Sequence, residues 1–304
     1  MAATAILPQT APGKTERGDS TGRHFYEKMP LDKDILNLDP DEKAFFKQTT
    51  KIEDETELNA HICVVQEEAY KVFPCPCIRN FNFTKLKISR LNAYPQMLEL
   101  VKTRPDAIYL DIGCCFGNDA RKAVVDGYPM QNIICSDLRA QYWELGHELF
   151  RDTDTFRVPF IAGDAFDPAF LSPTLVEKHG PRPALNQVKT LNELQGEISV
   201  IHASSFFHLF DEEHQEKLAY LTATLLSKKP GSLMFGSHGG MAVPGTRNER
   251  GAYGHSPESW TQLWETVLGK GKCQVKAEFR SLRRAHWQDE KNPHQAMMWS
   301  VTII

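Results

Sequence analysis

What most constrains this chain is a rhythm that begins near residue 107. Short apolar runs, each closing on an aspartate, are separated by stretches with helical spacing. The runs are Ala107-Ile-Tyr-Leu-Asp111, Asn132-Ile-Ile-Cys-Ser-Asp137 and Val158-Pro-Phe-Ile-Ala-Gly-Asp164. Ile198 to His202 and Ser232 to Gly236 continue the series. Between the runs, Tyr142, Leu145 and Leu149, and later Leu218, Leu221 and Leu225, recur at three- and four-residue steps, the period of one helix face. Such alternation predicts an α/β fold, a doubly wound and mainly parallel sheet with helices on both faces. Ligands in these sheets sit outside the carboxyl ends of the strands, so the three aspartates are expected along one edge. Ser256-Pro257-Glu258 carries the signals of a helix start. Gln274 to Leu282 and Ala296 to Ile304 read as terminal strands paired antiparallel.

Upstream the pattern differs. Residues 25–104 contain helical spacing, with Leu58, Ile62, Val65 and Ala69 on one face, and no clear strand. This region is expected to form a helical cap that contributes to a substrate pocket and offers a face for a homodimer. Residues 1–24 are rich in Thr, Pro, Gly and charge, the composition of a disordered tail. That leaves residues 105–304 as the ligand-binding domain.

Several functional classes are disfavoured at once. The formal net charge is -4, with no basic stripe, so nucleic acid is not an expected partner. No apolar run approaches the ~20 residues of a membrane span. The N-terminus lacks the pattern of a signal peptide. The expectation is therefore a cytoplasmic protein whose seven cysteines are free thiols. Cys75-Pro76-Cys77 has no second pair at zinc-site spacing, so no metal is expected.

The loop after the first run, DIGCCFGND, asks what it binds. Gly113 and Gly117 are present, but Cys115 stands where a dinucleotide loop needs glycine, and no lysine follows for a Walker loop. Asp111 just before the turn repels a pyrophosphate and attracts a cation. Asp137 is spaced to accept hydrogen bonds from ribose hydroxyls. Asp164, followed by Ala165 and Phe166, suits an adenine amine and ring. A cation, a ribose and an adenine in that order describe S-adenosylmethionine. Cys114 and Cys115 read as small packing residues, because a reactive thiolate needs a basic neighbour and Asp111 opposes it.

The ordered set DIGCCFG, CSDL, GDAF and HASSFFHLF resembles class I S-adenosylmethionine-dependent methyltransferases. DIGCCFGND with RKAV and the late HSPESW is, more narrowly, similar to fungal methyltransferases of meroterpenoid biosynthesis, which methylate a carboxyl group of a farnesylated aromatic acid. The resemblance runs from about Phe25 to the C-terminus. It implies a seven-stranded, Rossmann-like sheet whose last pair includes one antiparallel strand, and a catalytic domain over 105–304. It also implies a cofactor site built from Asp111, Gly113, Cys114, Gly117, Asp137, Leu138, Gly163, Asp164, Ala165, Phe166, His202, Ala203 and Ser204. His208 resembles in position the base of many small-molecule O-methyltransferases, although His208-Leu209-Phe210 departs from their usual His-Asp-Trp. A carboxylate acceptor needs no base; a phenol, with a pKa near ~10, does. For a carboxylate His208 is therefore expected to orient the acceptor. Phe25, Tyr26, Arg79, Phe207 and His238 are the candidates for a hydrophobic small-molecule acceptor, with Phe81, Phe83, Phe206 and Trp260 as further wall.

Overall fold

The structure is a computed structural model that describes residues 29–177, 182–248, 251–280 and 295–304. The tail over 1–24, with Phe25 and Tyr26, lies outside the described residues. The expected sheet is present. Strands β1 (Ile108–Ile112), β2 (Ile133–Asp137), β3 (Phe160–Ala162), β4 (Ile198–His202), β5 (Leu233–Gly240), β8 (Cys273–Arg280) and β9 (Gln295–Ile303) form it, in the order β3-β2-β1-β4-β5-β9-β8. The first five run parallel. β9 is antiparallel to both β5 and β8. Two short strands, β6 (Gly245–Thr246) and β7 (Tyr253–Gly254), form a separate hairpin that the sequence pattern does not announce.

Eight helices accompany these strands among the described residues. They are α1 (Pro40–Thr50), α2 (Glu55–Val72), α3 (Pro76–Arg79), α4 (Tyr94–Thr103), α5 (Asn118–Val125), α6 (Ala140–Phe150), α7 (Glu212–Leu225) and α8 (Pro257–Leu268). Each starts for a readable reason. The Asp54 carboxylate caps α2 by accepting the Glu57 N–H, and Ser256 caps α8 with Pro257 in the first turn. A continuous helix over Leu86–Val101 does not form. Pro95 lacks an N–H and fits only a first turn, so α4 begins at Tyr94 and the residues before it make single 3-10 turns. Between 168 and 196 the described residues likewise form only two 3-10 turns.

The core has three parts. One covers the α7/α8 face of the sheet, with Leu110, Ile201, Met234, Phe207, Trp260, Trp264 and Trp299 buried together. A second covers the opposite face, with Tyr109, Tyr128, Val200 and Phe235. The third joins the N-terminal helices to α6 through Phe45, Phe46, Ile62, Leu149 and Phe150. Phe46 and Phe150 stack there at 5.3 Å. Phe81 and Phe83 are buried in this third part, as core and not as open wall. Cys75 and Cys77 form a disulfide where free thiols are expected. Pro76 turns the chain so that their Cα atoms lie 5.4 Å apart, within bridging range. Cys63, Cys114, Cys115, Cys135 and Cys273 are free.

Gly146 shows how tightly the helices sit on the loop after β1. A Cβ there would lie 2.3 Å from the Phe116 carbonyl oxygen. In an open helix, Gly→Ala gains about 1 kcal/mol. Here the overlap is with backbone, and overpacking of that kind costs about 1–3 kcal/mol. Gly146→Ala is therefore expected to lower stability in urea unfolding; a raised midpoint would contradict the close approach.

Two core histidines give a pH dependence. His238 accepts the Trp299 indole N–H at 3.0 Å, and His255 packs against Trp260 at 5.3 Å. Burial penalises their charged forms, holding His238 well below an ordinary histidine and His255 down to about 4. The unfolded chain binds protons that these rings refuse. Their stability contribution is complete above the unfolded value near 6.5 and is lost as pH falls toward the folded one. The melting temperature should drop between pH 6.5 and 4.5, and His255→Gln should flatten that slope. Parallel slopes in the two proteins would refute it.

Candidate active site

The acids lie at one edge of the sheet, as the strand rhythm requires. Asp111 closes β1, is 3% exposed and accepts a hydrogen bond at Oδ1 from His202 Nδ1 at 2.9 Å. His202 Nε2 meets Ser204 Oγ at 2.7 Å, and Ser204 Oγ accepts the Ser237 N–H at 3.2 Å. A single chain of hydrogen bonds thus crosses the ends of β1, β4 and β5. Burial pushes the Asp111 carboxyl up, against the pull of His202. Burial works to lower His202, but Asp111 outweighs it and the net shift is upward. Asp111 Oδ2 is buried with no partner. An orphaned carboxylate oxygen at the mouth of the loop is a ready acceptor for an ammonium group.

Asp119, in the first turn of α5, completes this acidic corner. Its Oδ1 accepts the Ile88 N–H at 2.9 Å, and its Oδ2 lies 4.0 Å from His202 Nδ1. The sequence places Asp119 inside the quoted loop, but nothing in its spacing reveals that it turns back to His202.

The loop is held by its own backbone. Gly113 N–H and Cys114 N–H both donate to the Ser136 carbonyl, at 2.8 and 3.2 Å. The Cys114 amide is thus committed within the protein. Burial drives the Cys114 and Cys115 thiols upward, which keeps them protonated. Gly113 has φ 70, and a Cβ there would lie 2.9 Å from the Phe206 ring. Phe206 is therefore the aromatic against the cofactor loop. Phe207, fully buried, packs instead between Trp260 and Trp299 at 5.1 and 5.8 Å. Gly117 has φ 70 too and admits Trp143, whose ring a Cβ would meet at 2.6 Å.

Asp137 ends β2 with one backbone donor on each oxygen, Cys115 N–H at 2.9 Å and Arg139 N–H at 3.0 Å. A carboxylate has about four acceptor positions, so both oxygens can still receive a diol. Leu138 beside it is 56% exposed, an apolar surface suited to a ring. Asp164 accepts the Phe166 N–H at 2.9 Å in a turn, and Phe166 packs edge-on to Phe210 at 5.0 Å. Gly163 makes room for Phe170, whose ring a Cβ would meet at 2.3 Å. Ala165 and Ala203 are buried in the core, so their side chains shape the floor. These residues fit S-adenosylmethionine: an acid with one oxygen unpartnered, a half-satisfied carboxylate and an exposed leucine follow in the order of its parts.

On the far side of the His202 chain the character changes. His208 Nδ1 accepts the Gly239 N–H at 2.9 Å. A backbone N–H can only donate, so the ring proton sits on Nε2. Burial, with the charges of Arg247 and Lys87 adding to it, holds His208 down to about 3. Arg79 donates to the Pro30 carbonyl and to Asn80 Oδ1, at 3.1 and 3.2 Å, and His238 belongs to the tryptophan cluster. Among the described residues no His, Cys, Asp and Glu group is arranged to hold a metal ion, and no helix is long and apolar enough to cross a membrane.

Comparison with known proteins agrees with this geometry. A family model described as the meroterpenoid methyltransferase N-terminal domain matches residues 26–84. The chain is 32% identical to O-methyltransferase phiE of a fungal species (strain ATCC 74256), over 73% of this chain and 69% of that protein. It is 30% identical to O-methyltransferase atr3 of Stereocaulon alpinum, over 91% and 74%. It is 32% identical to the asnovolin E/chermesin D methyltransferase nvfJ of Aspergillus novofumigatus, over 78% and 77%. At that identity and coverage the chain belongs to the family of these fungal methyltransferases.

Proposed function

We propose that the protein methylates an oxygen, the carboxylate of a hydrophobic natural-product acid such as a prenylated aromatic or terpenoid acid. The observation that carries this reading is the tautomer of His208. With Nδ1 occupied by the Gly239 N–H and the proton on Nε2, the ring has no free lone pair with which to take a proton. It is a neutral donor. A phenol or carbon acceptor must lose a proton during transfer and would call on a base there. A carboxylate arrives as the anion and accepts a hydrogen bond from Nε2–H instead. The bound cofactor supplies an electrophilic methyl on a sulfonium, so that a C–O bond forms as the C–S bond breaks and no proton has to move.

The remaining work of the chain is positional. Asp111 and Asp119 hold the cationic end, Asp137 the ribose, and His208 aligns the acceptor oxygen for in-line attack. Leu209, 61% exposed and next to His208 in the chain, offers apolar rim to a greasy acceptor. Two of the relatives are named O-methyltransferases, which supports oxygen as the acceptor atom.

Incubation with methyl-labelled cofactor and candidate acids should yield labelled methyl esters. With His208→Gln the turnover number should stay within about tenfold of wild type, whereas loss of a general base costs about 10²–10⁴. A loss of the larger size, or a rate that climbs with pH through the phenol range, would sink the carboxylate reading. Asp137→Ala removes a charged partner of the ribose, each such bond being worth about 1.5–3 kcal/mol. Calorimetric affinity for S-adenosylhomocysteine should fall at least about tenfold; unchanged affinity would move the ribose elsewhere.

A further inference from the structure

Arg247 sits between β6 and β7 without an acid. No ion pair reaches it among the described residues, and its Nε is buried with no hydrogen-bond partner. Its side chain lies across two glycines. A Cβ on Gly239 would be 2.2 Å from Arg247 Nη2, and one on Gly254 would be 2.7 Å from Arg247 Cδ. Its backbone is pinned in the hairpin by donation from Arg247 N–H to the Ala252 carbonyl at 2.6 Å. Gly239 is also the residue whose N–H fixes His208. The guanidinium and the Nε2–H donor therefore flank one glycine at the end of β5.

Arg247 is half-buried with its Nε out of water, and a guanidinium cannot shed its proton to escape desolvation. It is costly to bury unless something anionic completes it. Among the described residues no acid does so. The acids of the site, Asp111, Asp119 and Asp137, belong to the ends of β1, β2 and the start of α5. Lys87 adds a second positive charge felt at His208.

We propose that Arg247 is the anion-recognition residue of the acceptor pocket, its guanidinium receiving the acceptor's carboxylate beside the Nε2–H of His208. The inference rests on the carboxylate reading above and goes beyond it by naming what selects the acid. A planar fork suits one carboxylate oxygen pair, and an apolar rim suits the rest of the molecule. Discrimination follows the pattern of sites with buried polar groups. A neutral analogue leaves the guanidinium unpaired and is rejected more strongly than a shortened apolar tail would be.

The test uses the full chain loaded with S-adenosylhomocysteine, a farnesylated hydroxybenzoic acid and its primary amide as probes. Wild type should bind the acid at least tenfold more tightly than the amide. Arg247→Gln should abolish that preference, leaving amide affinity, S-adenosylhomocysteine affinity and the melting temperature near wild type. Arg247→Lys should restore part of the preference. In turnover, Arg247→Gln should raise KM for the acid far more than it lowers kcat. If wild type shows no preference for the acid, or binds neither probe, the carboxylate reading fails and this inference with it. If the preference survives in Arg247→Gln, the reading stands and the assignment of Arg247 is overturned. Should Arg247→Gln lose the cofactor analogue too, its role is structural and the assignment likewise falls.

Discussion

The chain of hydrogen bonds from Asp111 through His202 and Ser204 to the Ser237 N–H is the constraint on which the rest of the site depends. It ties three strand ends that otherwise share only ladder hydrogen bonds. Asp111, His202 and Ser204 are almost fully buried, so each needs its neighbour. Fixing His202 on Asp111 Oδ1 leaves Oδ2 as the free corner of the carboxylate. The same chain positions Ser237, and with it the part of β5 that carries His238, Gly239 and Gly240 beyond the end of β4 while still paired with β9. On the proposed reading, one polar network thus sets both the cationic end of the cofactor site and the frame of the acceptor side.

That division solves an electrostatic problem. Methyl transfer to a carboxylate requires a cation and an anion side by side, each kept from the wrong partner. Acids collect at the ends of β1 and β2, while Arg247 and Lys87 act around His208 beyond β4. The protein as a whole carries a net charge of -4, so the acceptor side is a local exception to its composition. An arginine whose buried Nε lacks a partner is a local inconsistency of the kind found at binding sites.

Much of this was legible in the sequence because it depends on period and order. The alternation of apolar runs and helical spacing dictated the sheet, and aspartates at run ends had to fall on one edge. Residues whose role depends on rotation about one strand end were not legible. Phe206 and Phe207 are adjacent and chemically equal, yet Ser205, at φ 55, turns the chain so that Phe206 meets Gly113 and Phe207 enters the tryptophan cluster. His238 looked exposed in a glycine-rich run, but it lies within β5, where Trp299 on β9 covers it. Arg247 gave no signal at all, since a short hairpin with one arginine reads as surface. Only its packing on Gly239 and Gly254 shows otherwise.

Gly239 is where these strands of reasoning meet. Its N–H decides which nitrogen of His208 bears the proton, and its missing side chain is what lets Arg247 approach. A methyl group there would overlap the guanidinium; displacing the arginine would change the field on His208, and displacing the glycine would release Nδ1. The acid–base character of His208 is therefore not intrinsic to a histidine at that position. It is imposed by the backbone amide of Gly239, on which the arginine side chain also rests. An enzyme of the same fold with a side chain at the position of Gly239 would have to keep the guanidinium elsewhere.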